Sequence, residues 1–297
     1  MGKTPAGDKN LSFQIIDPII KQALEEDKAD RDITSELLFP KDRWVKAEIV
    51  AKGEGVVAGL AIAERVFYLL DNRIKFKKII SDGNQIREEE RIASLEGSLK
   101  KILAGERTAL NFLMRLSGIA TLTKKIVEKV YPYKVKIMDT RKTTPGLRIL
   151  EKYAVRVGGG FNHRMDLSDG VLIKDNHLRL QTTGYRGKDF KELISRIKQG
   201  VPEGMEVEIE VKNLREFKTA LETQPDVIML DNMSLSEIIK AVKIRNQFSN
   251  FETPQLEVSG GVELKNVRKI ASTGVERISI GQLTHSFSSL DFSLEIF

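Results

Sequence analysis

Cysteine is absent from the 297-residue sequence, so disulfides, zinc–thiolate sites and cysteine nucleophiles are excluded. Histidine is scarce as well. The three histidines, His163, His177 and His285, are far apart and lack the spacing of metal ligands. No G-x-S-x-G motif occurs, which disfavours a serine hydrolase. Thiol chemistry and a histidine metal site are therefore not expected.

Long apolar runs are also missing, and no stretch approaches the roughly 20 residues that a membrane span needs. The first ten residues, MGKTPAGDKN, lack the apolar core of a signal peptide and are typical of a disordered lead-in. Ala6 stands where a myristoylation signal needs Ser or Thr. These features predict a cytoplasmic protein that does not bind membranes.

The chain has a net charge of +6 and a pI near 9.2, which raises the possibility of a nucleic-acid partner. No series of aromatic residues for base stacking accompanies the basic residues, and those residues fall at the ends of predicted strands and helices. A non-catalytic nucleic-acid binder, whose affinity would depend steeply on salt, is therefore a disfavoured alternative.

The positive charge is concentrated in one stretch. The stretch from Arg141 to Arg164 contains six basic residues and only one acidic residue, Glu151. A helix accounts for part of it, with Thr144 as cap, Pro145 at the first position and glycines 158–160 at its end. Its spacing predicts an outer, solvated face that carries Arg148, Glu151 and Lys152.

Cationic residues also flank this helix at the ends of short apolar segments. Arg141 and Lys142 follow a strand at 135–138, His163 and Arg164 follow the glycines, and Lys174 ends a strand at 171–173. These three clusters could converge on one anion, because a guanidinium can grip a carboxylate or a phosphate with two hydrogen bonds.

The first hundred residues read as a mixed α+β module. Helical patterns at 11–24 and 56–70 alternate with strand patterns at 44–51, 75–80 and 91–104. A long helix is predicted from Gly105, which places Arg107 in its first turn, where a cation opposes the helix dipole unless an anion is bound nearby.

From Lys134 onward, strands and helices alternate, which predicts parallel strands with right-handed crossovers. A full barrel needs eight strands. Only six are convincing, so either a strand is hidden or the barrel is incomplete. The six apolar segments are 135–138, 171–173, 207–211, 227–230, 256–258 and 278–280.

Polar or glycine residues end most of these strands, where α/β barrels build their active sites. Glu210 and Asp231 could hold Mg²⁺ or the hydroxyls of a sugar, although they could also simply balance nearby cations. Ser259-Gly260-Gly261 leads into a helix predicted to open at Glu263, so its amides could cradle a phosphate. Gly281 ends the next strand in the same manner.

At this point the motifs resemble a known family. DTRKTTPGLRILEKYAVRVGGG, NHR, LIKDNH, GERTALNFLMRLSGIAT, VEIEV, VIMLDN, LEVSGGV and ISIGQLTHS are similar to quinolinate phosphoribosyltransferases, the decarboxylating nicotinate-nucleotide pyrophosphorylases. The resemblance implies an incomplete (β/α) TIM-like barrel at 116–285 and an N-terminal α+β open sandwich at 1–115. The segment 286–297 would complete the sandwich.

The resemblance also implies residue roles. It implies transfer of phosphoribosyl from phosphoribosyl pyrophosphate to quinolinate, with Mg²⁺, in homodimers that share active sites and could assemble further. Lys142, Glu210 and Asp231 would be catalytic, the two carboxylates near magnesium. Arg107 from the partner subunit, Thr140, Arg141, His163, Arg164 and Lys174 would bind quinolinate. Lys142, Glu210, Asp231, Ser259, Gly260, Gly261, Gly281 and Gln282 would bind phosphoribosyl pyrophosphate. A paralogue associated with molybdate uptake is the alternative enzyme.

Overall fold

The computed structural model describes residues 11–174, 176–177, 187–248 and 253–297, so the predicted lead-in at 1–10 lies outside it. The chain divides into two compact units. The first unit contains the chain up to residue 124 together with 143–159 and 283–297, and the second contains 125–142 and 160–282.

The first unit is a layer of helices with antiparallel strands. The helices are α1 (Phe13–Glu26), α2 (Ile33–Leu38), α3 (Leu60–Leu70), α4 (Leu99–Val130, which continues into the second unit) and α5 (Arg148–Val157). The strands are β1 (Trp44–Ala51), β2 (Gly55–Val56), β3 (Lys75–Lys78), β4 (Gln85–Ile86), β5 (Arg91–Ser98) and β12 (Phe292–Ile296). Four of these strands form a sheet in the order β12-β1-β5-β3, and β2 pairs with β4. The last strand returns to the first, with Ala51 opposite Phe292.

Apolar periodicity explains these elements. On α1, Ile16, Ile20 and Leu24 recur every four residues and are buried, as an amphipathic helix requires. The central strand β1 buries Ala47 and Ile49 on its inner face. Among the described helices, none combines the length and apolar character needed to cross a membrane.

The second unit contains all six predicted strands. They are β6 (Lys136–Met138), β7 (Val171–Ile173), β8 (Val207–Val211), β9 (Val227–Asp231), β10 (Gln255–Ser259) and β11 (Arg277–Ser279). These strands form one parallel sheet in the order β6-β11-β10-β9-β8-β7. The helices are α6 (Gly187–Gly200), α7 (Leu214–Leu221), α8 (Leu235–Gln247), α9 (Val267–Ala271) and α10 (Gln282–His285, at the boundary with the first unit).

This sheet curls into an incomplete barrel. Phe161 bridges to Met138 of β6, and two residues later the His163 Nε2 atom lies 3.0 Å from a carboxylate oxygen of Glu208 on β8. In a flat sheet β6 and β8 would be four strand spacings apart, or about 19 Å. The sheet must therefore curl, and within the described residues no ladder joins β6 to β7. The predicted fold class is confirmed.

The predicted start of the long helix α4 was wrong. α4 begins at Leu99, so the strand pattern ends at Ser98 and Arg107 lies inside the helix instead of in its first turn. The Ser98 hydroxyl accepts a hydrogen bond from the Lys101 amide at 3.2 Å and thereby caps the earlier start.

The helix α5 also differs from its prediction. It begins at Arg148 and not at Pro145, although Gly158 ends it as expected. Glu151 and Lys152 are fully buried, so they do not belong to a solvated face. The Arg115 guanidinium donates to Glu151 at 3.0 Å, and the Thr144 amide donates to the same carboxylate at 3.2 Å. Burial of Glu151 is thus compensated by a charged partner.

Candidate active site

The carboxyl ends of the parallel strands bring most of the predicted site residues to one edge of the sheet. All of them except Arg107 belong to the second unit. Arg107 lies on α4 in the first unit, with its side chain 60% exposed and 3.9 Å from Glu106. The residues at the sheet edge are Thr140, Arg141, Lys142, His163, Arg164, Lys174, Glu210, Asp231, Ser259, Gly260, Gly261, Gly281 and Gln282.

A buried aspartate fixes the segment that carries His163 and Arg164. Asp139, at the end of β6, is fully buried and accepts a hydrogen bond from the His163 amide at 3.0 Å and another from the Asn162 side chain. Backbone hydrogen bonds between Phe161 and both Ile137 and Asp139 hold the same segment against β6. Sequence reasoning did not assign Asp139 a role.

Arg141 and Arg164 form a cationic pair at this edge. Burial, reinforced by the charge of Arg141, lowers the pKa of Arg164 from its usual range. The Nε atom of Arg141 is buried and has no hydrogen-bond partner among the described residues. Arg164 donates to the Gly170 carbonyl at 3.1 Å, which orients its guanidinium. Two like charges held together in this way favour an anion that binds both.

Two carboxylates stand on the neighbouring strands. Glu210 is the fourth residue of β8, and Asp231 ends β9 opposite Ser259 of β10. Lys174 Nζ lies 3.8 Å from a Glu210 oxygen, so the lysine links the carboxylates to the cationic side of the site. Oxygen donors at the ends of adjacent strands are the ligand type that Mg²⁺ prefers, and the donor set therefore fits that ion.

The glycine loop after β10 departs from its prediction. No helix opens at Glu263, because α9 begins only at Val267 and has five residues. Gly260 and Gly261 have positive φ values of 85° and 61°, so the chain turns here. The Asn266 side chain holds the turn by donating to the Gly261 carbonyl and accepting from the Glu263 amide. A Cβ at Gly261 would meet nothing within 4 Å, which leaves its backbone open to a ligand.

Inside the barrel, beneath these residues, lies a cluster that the sequence reasoning missed. Each of His163, Glu208 and Glu257 offers one atom that could bind a metal ion, and these three atoms lie within 4.8 Å of one another. Both glutamates are buried. Burial and the nearby charge of Glu208 raise the pKa of Glu257 to about 7. One signal was available: each glutamate stands in an apolar strand, two residues before Glu210 or Ser259 and therefore on the same face.

Comparisons with known proteins decide the family. The family model for the N-terminal domain of quinolinate phosphoribosyl transferase matches residues 32–117, and the model for its C-terminal domain matches residues 119–295. The chain belongs to the quinolinate phosphoribosyl transferase family. The alternatives of a molybdate-associated paralogue and of a nucleic-acid binder find no support in these comparisons.

Individual relatives agree with this assignment. The chain is 41% identical over 282 residues to a probable nicotinate-nucleotide pyrophosphorylase [carboxylating] of Synechocystis, covering 95% of this chain and 92% of that protein. A Methanocaldococcus jannaschii protein of the same name is 43% identical, with coverage of 94% and 96%. The structure of the nicotinate-nucleotide pyrophosphorylase from Francisella tularensis superposes with a TM-score of 0.89 at 37% identity, covering 98% of this chain and all of that one.

Proposed function

We propose that this protein transfers the phosphoribosyl group of phosphoribosyl pyrophosphate to quinolinate. The products are nicotinate mononucleotide, pyrophosphate and carbon dioxide, a step in the synthesis of NAD, and we place the reaction in the cytoplasm. The observation that carries the proposal is the cationic pair of Arg141 and Arg164, which shares the strand ends of a barrel of this family with Lys174.

Quinolinate suits that cationic edge because it is a planar dicarboxylate. Two guanidiniums and an ammonium can bind its carboxylates through charge-assisted hydrogen bonds. The Thr140 side chain accepts from the Lys142 amide at 3.1 Å and so shapes the loop that carries Arg141. Relief of the repulsion between Arg141 and Arg164 would add to the affinity for a dianion.

The reaction proceeds by displacement at the anomeric carbon of the ribose. The quinolinate ring nitrogen forms the new bond to that carbon as the bond to pyrophosphate breaks, through a loose, oxocarbenium-like transition state. Lys142, which is exposed at the mouth of the site, stabilises the negative charge that develops on the leaving pyrophosphate. No protein nucleophile takes part.

Decarboxylation then follows from the charge of the product ring. The quaternised nitrogen stabilises the electron pair left on the neighbouring carbon when the carbon dioxide leaves. A proton from solvent completes the nicotinate ring. The residues of the chain orient and neutralise the substrates, and the ring nitrogen itself supplies the driving force.

The carboxylates Glu210 and Asp231 would bind Mg²⁺ and the ribose hydroxyls. When bound, the ion would supply positive charge to the pyrophosphate oxygens. The 5-phosphate subsite would be lined by Ser259, Gly260, Gly261, Gly281 and Gln282. The turn at Gly260 and Gly261, and not a helix N-terminus, would present the backbone amides to that phosphate.

We further propose a homodimer in which Arg107 of each subunit reaches the quinolinate site of the other. Arg107 is exposed in the third turn of α4, and its contact with Glu106 at 3.9 Å is long for an ion pair. An arginine on a helix face with so weak an internal partner is available to an anion bound by a second copy of the chain.

Calorimetric titration with quinolinate and with nicotinate tests the proposed substrate. We expect quinolinate to bind at least about 100-fold more tightly, because its second carboxylate is worth about 3 kcal/mol when it meets buried guanidiniums. Equal affinity for the two ligands, or no binding of either by a folded sample, would contradict the proposal.

A further inference from the structure

The cluster of His163, Glu208 and Glu257 suggests a role for the histidine that differs from direct contact with the substrate. Nε2 of His163 points inward, 3.0 Å from an oxygen of Glu208 and 3.5 Å from an oxygen of Glu257. The other ring nitrogen, Nδ1, accepts a hydrogen bond from the Arg164 amide at 2.8 Å. Both nitrogens thus face groups within the protein.

This arrangement defines which ring nitrogen carries the proton when the imidazole is neutral. Because Nδ1 accepts a hydrogen bond, the proton of the neutral ring resides on Nε2, where it faces the two carboxylates. The imidazole therefore lies between the buried acids and the backbone of Arg164. The Asp139 carboxylate holds the backbone of the histidine from the other side, through the His163 amide at 3.0 Å.

The two glutamates are buried and make few hydrogen bonds among the described residues. Glu257 is fully buried in β10 and Glu208 is 5% exposed in β8. Both oxygens of Glu257 and one oxygen of Glu208 lack a hydrogen-bond partner among the described residues. A buried carboxylate of this kind costs several kcal/mol, so its presence points to a use.

We propose that His163 is a positioning residue, which Glu208 and Glu257 hold in place so that it fixes Arg164 for the substrate carboxylate. The inference rests on the proposed function, since Arg164 is its quinolinate ligand. The negative charge beneath the site also offsets the cationic pair, because Glu208 counteracts the lowering of the Arg164 pKa.

Substitution of His163 by asparagine or by glutamine tests its two contacts separately, the one with the Arg164 amide and the one with the glutamates. In His163→Asn the amide oxygen occupies the place of Nδ1 and still accepts from Arg164, while in His163→Gln only the inner nitrogen is reproduced. We expect quinolinate affinity to fall about fivefold to tenfold in the asparagine variant, which loses the contact with the glutamates, and at least about 30-fold in the glutamine and alanine variants, which lose the contact with the Arg164 amide.

If His163 donated to the substrate, asparagine would be as damaging as alanine, and that result would overturn the proposal. Glu208→Gln should weaken quinolinate binding about fivefold to tenfold. The matched control is Glu206→Gln, an acid two residues earlier that accepts a hydrogen bond from Arg277 at 2.9 Å. Equal effects of the two glutamine substitutions on affinity would also overturn it.

A measurement without substrate keeps this proposal separate from the proposed function. With three histidines in the chain, ¹⁵N-histidine labelling and the variants His177→Gln and His285→Gln assign the ring signals of His163. We expect the neutral ring to carry its proton on Nε2. A proton on Nδ1 would overturn the positioning role, as would a stoichiometric divalent metal retained by the wild type but lost in Glu257→Gln. Absence of quinolinate binding with the expected tautomer would instead count against the proposed function.

Discussion

At the scale of single residues, neighbouring cations at the strand ends are assigned different tasks. Arg164 is partly buried beside Arg141, where a planar fork suits a fixed carboxylate. Lys142 is exposed at the mouth, where a mobile point charge suits a departing pyrophosphate. The division separates ground-state binding from stabilisation of the transition state.

Alanine substitutions at these two positions should therefore affect different parameters. We expect Lys142→Ala to lower kcat by at least about 100-fold with little change in quinolinate affinity. Arg164→Ala should raise the quinolinate KM by about 100-fold with a smaller effect on kcat. Steady-state kinetics at saturating phosphoribosyl pyrophosphate measures both, and Lys240→Ala on the exposed face of α8 is the control for loss of charge. Equal changes in one parameter would remove the division of tasks.

The interior glutamate makes stability depend on pH. Its folded-state pKa of about 7 lies above the ordinary 4.5, so the folded state holds a proton that the unfolded state has lost. Glu257 therefore destabilises the fold progressively as pH rises from about 4.5 through 7. Its neighbours His163, Glu208 and Arg277 set the size of the effect.

Glu257→Gln removes this titration. We expect the free energy of unfolding of the variant, relative to wild type, to rise by up to about 3 kcal/mol between pH 5 and pH 8. Urea unfolding at several pH values measures it, with Glu206→Gln as the control because its pKa is lowered and not raised. A difference that is constant with pH would contradict the assignment.

At the scale of elements, the strands could be read from the sequence because buried parallel strands are short and mainly apolar, as at Val227–Asp231, where four apolar residues precede the aspartate. The first residues of the helices were harder to predict from the sequence. The early start of α4 depends on the side-chain cap from Ser98, and the burial of Glu151 depends on Arg115, which lies 36 residues away. Spacing along one helix does not contain that partner.

The same limit explains what was found and missed in the site. Strand-end residues such as Glu210 and Asp231 stood out because barrels place chemistry there. Glu208 and Glu257 were missed because their partner, His163, arrives from another segment only when the sheet curls. The site could be predicted along each strand, whereas contacts across the barrel required the structure.

The glycine turn after β10 gives a test at this scale. A Cβ at Gly260 would collide with the Asn232 side chain, and its φ of 85° is unfavourable for alanine. We expect Gly260→Ala to raise the KM for phosphoribosyl pyrophosphate by about tenfold or more. The control Gly204→Ala has a similar φ of 82° with nothing within 4 Å of its Cβ, so it should lose stability only. A raised KM in both variants would show that the effect is not local to the turn.

At the scale of the whole molecule, the proposed sharing of active sites between two subunits predicts complementation. In the proposed dimer, each active site combines Lys142 of one subunit with Arg107 of the other. A mixed dimer of the Arg107→Ala and Lys142→Ala variants therefore has one site in which both residues are intact. After the two inactive variants are unfolded together and refolded, we expect about a quarter of wild-type activity. A mixture of Lys142→Ala with Arg164→Ala should regain none, because both residues would serve the site of their own subunit and each site of a mixed dimer would therefore lack one of them. Equal recovery in the two mixtures, or none in either, would contradict the shared site.

The central claim is that transfer and decarboxylation occur together on quinolinate. The most direct measurement incubates the protein with quinolinate, phosphoribosyl pyrophosphate and Mg²⁺, and quantifies the products by mass spectrometry. We predict equimolar nicotinate mononucleotide, pyrophosphate and carbon dioxide, with no nucleotide when nicotinate replaces quinolinate. Nucleotide formed from nicotinate, or no product from a folded sample, would contradict the account.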